Sequence, residues 1–151
     1  MSGGPGRAER VVAQMLAHDA FSRWLGVEVV VATEGACTLR MAVRDEMTNG
    51  FGVCHGGVTF SLADSALAFA SNGHGRVTLS TDNAITYPAP ARAGDELTAV
   101  AQEESASRRL AHYTVRVSNQ DGALVALFRG SVYRTDRLHF PDDAGSAETH
   151  G

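Results

Sequence analysis

The segment Gly56-Gly-Val-Thr-Phe-Ser-Leu-Ala-Asp64-Ser-Ala-Leu-Ala-Phe-Ala-Ser-Asn-Gly73 is apolar or small on every face of a helix. Its one formal charge is that of Asp64, and a helix of this kind belongs inside a protein rather than on its surface. A lone carboxylate there is costly unless it is paired, hydrogen-bonded or used for chemistry. The two glycines at the start let a ligand approach the free N–H groups of the first turn. We therefore predict a buried helix with an open amino end over residues 56–73.

The composition is that of an ordinary globular protein with one domain. The 151 residues are 44% hydrophobic and 20% charged, which is enough apolar material for a sizeable core. The net charge of −4 gives no basic footprint for nucleic acid. The longest apolar run, residues 62–70, is too short to span a membrane and contains an acid. Cys37 and Cys54, with no secretory segment ahead of them, predict free thiols and a cytoplasmic protein.

Two short helices are predicted ahead of the first strand. Apolar residues recur at helical spacing over residues 8–16, and a brief second helix is expected over residues 20–25. Asp19 is placed to cap the start of that second helix, and Gly26 is placed to end it. These two helices lead directly into the strand-forming part of the chain.

The rest of the domain has a period of two, which is typical of strands with one buried face. Two strands precede the long helix and four follow it, at residues 27–31, 37–43, 77–87, 97–105, 111–118 and 123–134. A single antiparallel sheet has one face to offer its only apolar helix. Curling the sheet around the helix satisfies both partners. The predicted fold is therefore the hotdog architecture, of the α+β class.

The two ends of the chain differ from the middle in composition. Residues 1–6 are rich in Gly and Pro, and the chain is polar from Asp136 onward. Segments of this composition do not bury enough apolar surface to order themselves. We predict one domain at residues 7–135, between a disordered N-terminus at 1–6 and a disordered tail at 136–151.

The loop and first turns of the predicted long helix carry a distinctive motif. It reads Asn49-Gly50-Phe-Gly-Val-Cys-His55-Gly56-Gly57, followed by Phe60-Ser-Leu-Ala-Asp64-Ser65. Further matches are Leu25-Gly26-Val27, Ile85-Thr86-Tyr87 and Ala126-Leu127-Phe128-Arg129-Gly130. Together these segments, which extend over most of the chain, resemble the PaaI branch of hotdog acyl-CoA thioesterases. That branch is associated with phenylacetate degradation.

The resemblance implies thioester hydrolysis, with the acyl-CoA as substrate and no other cofactor. The family's helix-borne acid falls on Asp64, its amide donor on Gly56 and its loop asparagine on Asn49. Dimers of this family commonly pair again, so a homotetramer is expected. The substrate-binding positions implied are His55, Gly57, Ser65 and Ser80, where Ser80 supplies an assisting hydroxyl for which Thr81 competes.

The chemistry of a thioester explains why these residue types are needed. The carbonyl oxygen becomes negative during hydrolysis, and the start of a helix supplies N–H donors and the positive end of a macrodipole. Gly56 has no Cβ, so the carbonyl can reach its N–H. Asp64 can act as a base on water or as a nucleophile through an anhydride, and the sequence leaves both open.

The spacing of these two groups has a consequence for assembly. Gly56 and Asp64 are eight residues apart on one helix, or roughly 12 Å along its axis. One chain can hardly place both on the same carbonyl carbon, whereas a two-fold dimer can. We therefore predict a homodimer with two shared sites as the catalytic unit.

Each of these residues can also have a purely structural role. Asp64 can be a buried acid paired with the hydroxyl of Ser61 or Ser65, and the two glycines can serve close helix–strand packing. Asn49 precedes a glycine and can be a turn residue only. His55 can act in acid–base chemistry or simply orient the loop.

Other chemistries find less support. Cys54 lacks a base and an acid with which to form a nucleophilic triad. Cys54, His55 and His74 lack tight metal-ligand spacing, so no metal site is predicted. The CoA phosphates call for arginines. The candidates are Arg108-Arg109, Arg92 and Arg129.

Three functions compete. The leading one is an acyl-CoA thioesterase acting on aryl or arylacetyl thioesters such as phenylacetyl-CoA or its hydroxylated forms, with medium-chain or hydroxybenzoyl-type thioesters as alternatives. A hotdog enoyl-thioester hydratase needs a His with the acid, and only His55 offers one. A non-catalytic acyl-CoA-binding hotdog protein is disfavoured by Asp64 and by the lack of a DNA-binding helix pair.

Overall fold

The computed structural model describes residues 3–146, and its elements follow the predicted order. The helices are Arg7–His18 (α1), Ala20–Leu25 (α2) and Gly56–Asn72 (α3). The strands are Glu28–Thr33 (β1), Ala36–Ala42 (β2), Arg76–Thr86 (β3), Glu96–Ala106 (β4), Leu110–Ser118 (β5) and Leu124–Leu138 (β6). No helix within residues 3–146 combines the length and the apolar character that crossing a bilayer would require.

The six strands form one antiparallel sheet in the order β1-β2-β4-β5-β6-β3. The central helix α3 packs against every strand of this sheet. This confirms the predicted hotdog fold, in which the sheet curls around the only long apolar helix. The strands β1 and β3 lie at the two edges, so each has one side without a sheet partner among the described residues.

The core is the space between α3 and the concave face of the sheet. On the helix, Leu62, Leu67 and Phe69 are at most 1% exposed, as its uniformly apolar sequence predicts. Strand alternation supplies the other side, and on β2 the buried residues are Cys37, Leu39 and Met41. One stripe of α3 stays partly exposed, through Gly57, Ser61, Asp64 and Ala68, so its single carboxylate lies at the edge of the core.

The short helix α2 begins and ends as predicted. The Asp19 carboxylate accepts a hydrogen bond from the Ser22 N–H at 2.9 Å, which caps the helix start. Gly26 ends the helix in the left-handed region at φ 82°, where glycine is favoured. These two signals place α2 against the side of α3.

The domain boundary predicted at residue 135 is corrected by the structure. The last strand continues to Leu138, and a 3-10 helix spans Pro141–Ser146. Contacts with distant residues hold this segment to the domain: for example, Arg109 pairs with Asp136 through hydrogen bonds of 2.7 and 2.9 Å, and Arg10 lies over the ring of Phe140. Composition alone could not reveal these contacts with distant parts of the chain.

The remaining predictions about the ends stay predictions. Residues 3–6 carry no helix or strand. Residues 1–2 of the predicted disordered N-terminus and residues 147–151 of the predicted tail lie outside the described residues.

Candidate active site

At the start of α3, the Gly57 N–H group is hydrogen-bonded and the Gly56 N–H group is free to bind a ligand. The Nδ1 atom of His55 accepts a hydrogen bond from the Gly57 N–H at 2.9 Å, so His55 is the N-cap. The Gly56 N–H has no hydrogen-bond partner within residues 3–146. Gly56 is therefore the donor that a carbonyl oxygen can reach, and the loop-orienting reading of His55 has a structural basis.

The Tyr87 side chain packs against Gly56. Its hydroxyl donates a hydrogen bond to the Gly56 carbonyl at 2.7 Å, and a Cβ on Gly56 would lie 3.1 Å from the tyrosine ring. The packing reading of Gly56 is thus present together with a free amide. A cavity of about 320 Å³ opens here, lined in part by Gly56, Tyr87, Cys54 and Thr59. Tyr87 belongs to a segment that matches the family but was not predicted to take part in the site.

Asp64 lies in the middle of α3 and is half-buried. Burial raises the pKa of its carboxyl, and the negative charge of Asp19 raises it further. Neither hydroxyl considered from the sequence is its partner, because Ser61 donates to the Gly57 carbonyl and Ser65 bonds to Ser22. The acid is instead approached from the sheet.

The approach comes from the edge strand β3. The Asn83 amide donates to Asp64 Oδ1 at a nitrogen–oxygen distance of 3.4 Å, and Ser80 Oγ donates to Asn83 Oδ1 at 3.0 Å. Thr81 points elsewhere, because its hydroxyl donates to the Ser131 carbonyl. Of the two hydroxyls that competed in the sequence, Ser80 is the one that reaches the acid, and it does so through Asn83.

Asn83 was not among the residues predicted for the site. A signal was present, since Asn83 shares the strand alternation of the inward-facing Ile85 and is therefore a polar residue at a core-facing position. The β-bulge between Ser80 and Asp82 shifts that alternation, which brings Ser80 within reach of Asn83.

Two other predicted site residues do not join this cluster within a single chain. Asn49 Oδ1 accepts from the N–H groups of Phe51 and Val53, so this side chain holds the turn. Ser65 is buried, with its Oγ 2.8 Å from Ser22 Oγ on α2. Within one chain, Asn49 therefore stabilises the turn, and Ser65 joins α3 to α2.

Cys54 borders the cavity at the helix start, where its surroundings favour the protonated thiol. Burial raises its pKa, and the charge of Asp95 adds to this, while a hydrogen bond with Thr59 opposes it. A protonated thiol is a poor nucleophile, which argues against the acyl-cysteine reading. Both cysteines are free, as predicted.

Four arginines gather at one end of the sheet, and we call them the arginine cluster. They are Arg76 at the start of β3, Arg108 and Arg109 in the β4–β5 turn, and Arg134 on β6. Burial lowers the pKa of Arg76, and the charges of the other three lower it further. Asp136 is the acid that enters this group. The cluster is a local excess of positive charge on a protein of net negative charge.

A free helix-start amide and a half-buried acid, inside a sheet curled around that helix, define a hotdog-fold thioester enzyme. The family model described as "Thioesterase superfamily" matches residues 51–126 of this chain. The chain belongs to the thioesterase superfamily.

Its relatives place it within that superfamily. It is 38% identical to the acyl-coenzyme A thioesterase PaaI of Escherichia coli over 80% of this chain and 86% of that protein. It is 33% identical to human acyl-coenzyme A thioesterase 13, over 77% of this chain and 86% of that protein. The structure of E. coli PaaI, from the phenylacetic acid degradation operon, superposes with a TM-score of 0.86 and 36% identity, covering 87% of this chain and 96% of that one. The protein is an acyl-CoA thioesterase of the PaaI type.

Proposed function

We propose that this protein hydrolyses aryl or arylacetyl-CoA thioesters, such as phenylacetyl-CoA or its hydroxylated forms, to the free acid and CoA. One observation carries the proposal: α3 presents an unpaired amide at Gly56 and a half-buried carboxylate at Asp64. The aryl group is supported by the similar E. coli protein, which comes from a phenylacetic acid degradation operon. Medium-chain and hydroxybenzoyl-type thioesters are the alternative substrates.

The reaction uses both groups on one carbonyl. The Gly56 N–H and the helix dipole stabilise the oxyanion that forms on the carbonyl oxygen. As a base, Asp64 takes a proton from water while the oxygen attacks the carbonyl carbon, and the proton then passes to the departing CoA sulfur. As a nucleophile, Asp64 attacks the carbon itself, CoA leaves, and water opens the anhydride. Oxygen-18 labelling in a single turnover distinguishes the two, because only the anhydride route puts label into Asp64.

The site is completed across a homodimer. Gly56 and Asp64 lie on one continuous helix, roughly 12 Å apart along its axis, so each needs its counterpart from a second subunit. The edge position of β3 and the exposure of Leu79 (57%), which is adjacent to Ser80 on that strand, support this arrangement. The outer face of the sheet exposes Val100 and Leu127, which supports a further pairing into a homotetramer.

The remaining site residues act beside these two. His55 and Gly57 form the cap that holds the helix start in place, and Asn49 orders the loop that leads to it. Ser65 fixes α3 against α2 next to the acid, and Ser80 acts through Asn83. The CoA thioester is substrate and no cofactor is needed. Two free thiols fit a cytoplasmic location.

The arginine cluster is proposed to bind the phosphates of CoA. Arg76 and Ser80 lie on the same strand, four residues apart, or roughly 13 Å along the strand. The pantetheine arm is the part of CoA that bridges such a separation. Guanidinium groups suit phosphate because they offer several N–H donors in one plane.

An assay of CoA release from phenylacetyl-CoA tests the proposed function. The Asp64→Asn variant should lose roughly 10²–10⁴-fold in kcat, the range that general acid–base groups contribute. Tight binding of acyl-CoA without turnover by the wild-type protein would identify a sensor. Addition of water to a crotonyl thioester would identify a hydratase. A graded panel of aryl- and alkyl-CoA thioesters then ranks the acyl groups.

Subunit mixing tests the shared site. Inactive Asp64→Ala and Gly56→Pro proteins, combined under conditions of verified subunit exchange, should recover partial activity because some mixed sites hold both intact groups. Circular dichroism of each variant first establishes that it folds. An exchanged mixture without activity would contradict the dimer model.

A further inference from the structure

We infer that Asn83 is a positioning residue that holds the Asp64 carboxylate and favours its ionised form. The inference rests on the proposed role of Asp64 as base or nucleophile. The Asn83 amide is the hydrogen-bond donor to Asp64 within residues 3–146, at 3.4 Å. No other donor to this carboxylate is found in that part of the chain, so loss of Asn83 leaves the acid without one.

The orientation of the Asn83 amide follows from charge. An ionised carboxylate can only accept hydrogen bonds, so the amide must turn its NH2 group towards Asp64. Its oxygen then faces Ser80, whose hydroxyl donates to it at 3.0 Å. Ser80 thereby keeps the amide from turning over, and both ends of the Asn83 side chain are satisfied.

The fold makes room for this side chain on the neighbouring strand. Asn83 on β3 pairs with Gly130 on β6. A Cβ at Gly130 would lie 2.6 Å from Asn83 Oδ1 and would also overlap the Leu67 side chain of α3. The absence of a side chain at Gly130 is therefore what lets Asn83 lie beneath the helix and point at the acid.

The electrostatic surroundings give this donor its importance. Burial and the charge of Asp19, at the α1–α2 turn, both raise the pKa of Asp64. Asp82 and Arg129, the ionisable groups beside Asn83 and Gly130 on β3 and β6, are exposed. Among the described residues, no charged group on the other elements that pack against α3 clearly changes the pKa of Asp64. Asn83 thus opposes two effects that disfavour the carboxylate.

The test is the pH dependence of kcat/KM for the wild-type protein and for the variants Asn83→Leu and Asn83→Asp, with an acyl-CoA that the wild type hydrolyses. Asn83→Leu removes the donor at similar volume. The acid limb of the profile, where kcat/KM falls as Asp64 becomes protonated, should then move up by roughly one pH unit. Asn83→Asp places a second carboxylate beside Asp64 and should move it further. Thr86→Val, also on β3, serves as the control and should leave the limb in place.

The outcomes separate this inference from the proposed function. If Asp64→Asn keeps full activity, the proposed function fails and the titration has no meaning for catalysis. If Asp64 is essential but both Asn83 variants keep the wild-type acid limb and lose only amplitude, Asn83 is structural and the inference is overturned. Should Asn83→Leu fail to fold, Asn83→Asp carries the test because it has nearly the shape of asparagine.

Discussion

Replacing Gly130 by Ala tests whether the space under α3 is as tight as the structure shows. Gly130 does not have a positive φ, so alanine fits its backbone conformation and the cost is steric. The new methyl group would overlap Leu67 Cδ1 and lie 2.6 Å from Asn83 Oδ1. Leu67 is 1% exposed and lies in a close-packed core, so relieving the overlap requires Leu67 and Asn83 to shift.

Overpacking of this kind costs about 1–3 kcal/mol, against a gain of roughly 0.4–1 kcal/mol from the stiffer unfolded chain. We expect Gly130→Ala to lower the free energy of unfolding by about 1–2 kcal/mol. For a chain of this size that corresponds to a fall in Tm of roughly 2–8 °C. Activity should fall as well, because Asn83 is displaced from Asp64.

Thermal and urea unfolding at one protein concentration measure the effect, since assembly makes Tm depend on concentration. Gly50→Ala is the matched control, because a Cβ at Gly50 would meet no atom within 4 Å. An unchanged or higher Tm for Gly130→Ala, with the Asp64 acid limb also unchanged, would show that the contacts of Gly130 are not close and would remove one support for the placement of Asn83.

Three further outcomes are expected. Because folding raises the pKa of Asp64, its ionisation opposes folding above the unfolded pKa, so Asp64→Asn should increase the free energy of unfolding at pH 7, as measured by urea unfolding. That gain should vanish below about pH 4, where the acid is protonated in both states; a constant gain would contradict the assignment. Cys54 should react with iodoacetamide at least roughly tenfold more slowly in the native than in the unfolded protein, and equal rates would show an accessible thiolate. Arg108→Gln should raise KM for the acyl-CoA roughly three- to tenfold and leave KM for an acyl-pantetheine thioester, which lacks the CoA phosphates, unaffected. The control Arg40→Gln should change KM for neither substrate. Equal effects of Arg108→Gln on both substrates would exclude a phosphate contact.

The fold could be predicted because its main signals are local. The all-apolar sequence of α3, the period of two in the strands and the cap and stop residues of α2 each depend on neighbours within one or two turns. Their order then leaves one architecture that buries the helix. The proposed catalytic pair, Gly56 and Asp64, could be identified in the same way because both belong to one helix, and the resemblance to a known family suggested their roles.

The parts that the sequence did not reveal depend on contacts between distant residues. Asn83 reaches the acid because a bulge in β3 shifts the register and because Gly130, 47 positions later, has no side chain. Tyr87 lies over Gly56 for a similar reason, through a contact that joins residues 31 positions apart. A periodic pattern indicates which face of a strand is buried, but it does not indicate which residue of the next strand lies opposite.

The two unusual features of α3 have one explanation in the proposed dimer. Within residues 3–146, the Gly56 N–H group has no partner, and Asp64 is a carboxylate whose ionisation is opposed by its surroundings. Each is unfavourable for the folded subunit, and neither is relieved by the other because they lie at different points of the same helix. In the proposed dimer, the oxyanion of a thioester held between two subunits accepts from the Gly56 N–H of one helix, while Asp64 of the other helix acts on the same carbonyl. Interactions that become favourable only as the charge develops are those that lower the barrier, so under this proposal the amide left free in one subunit contributes to catalysis in the pair.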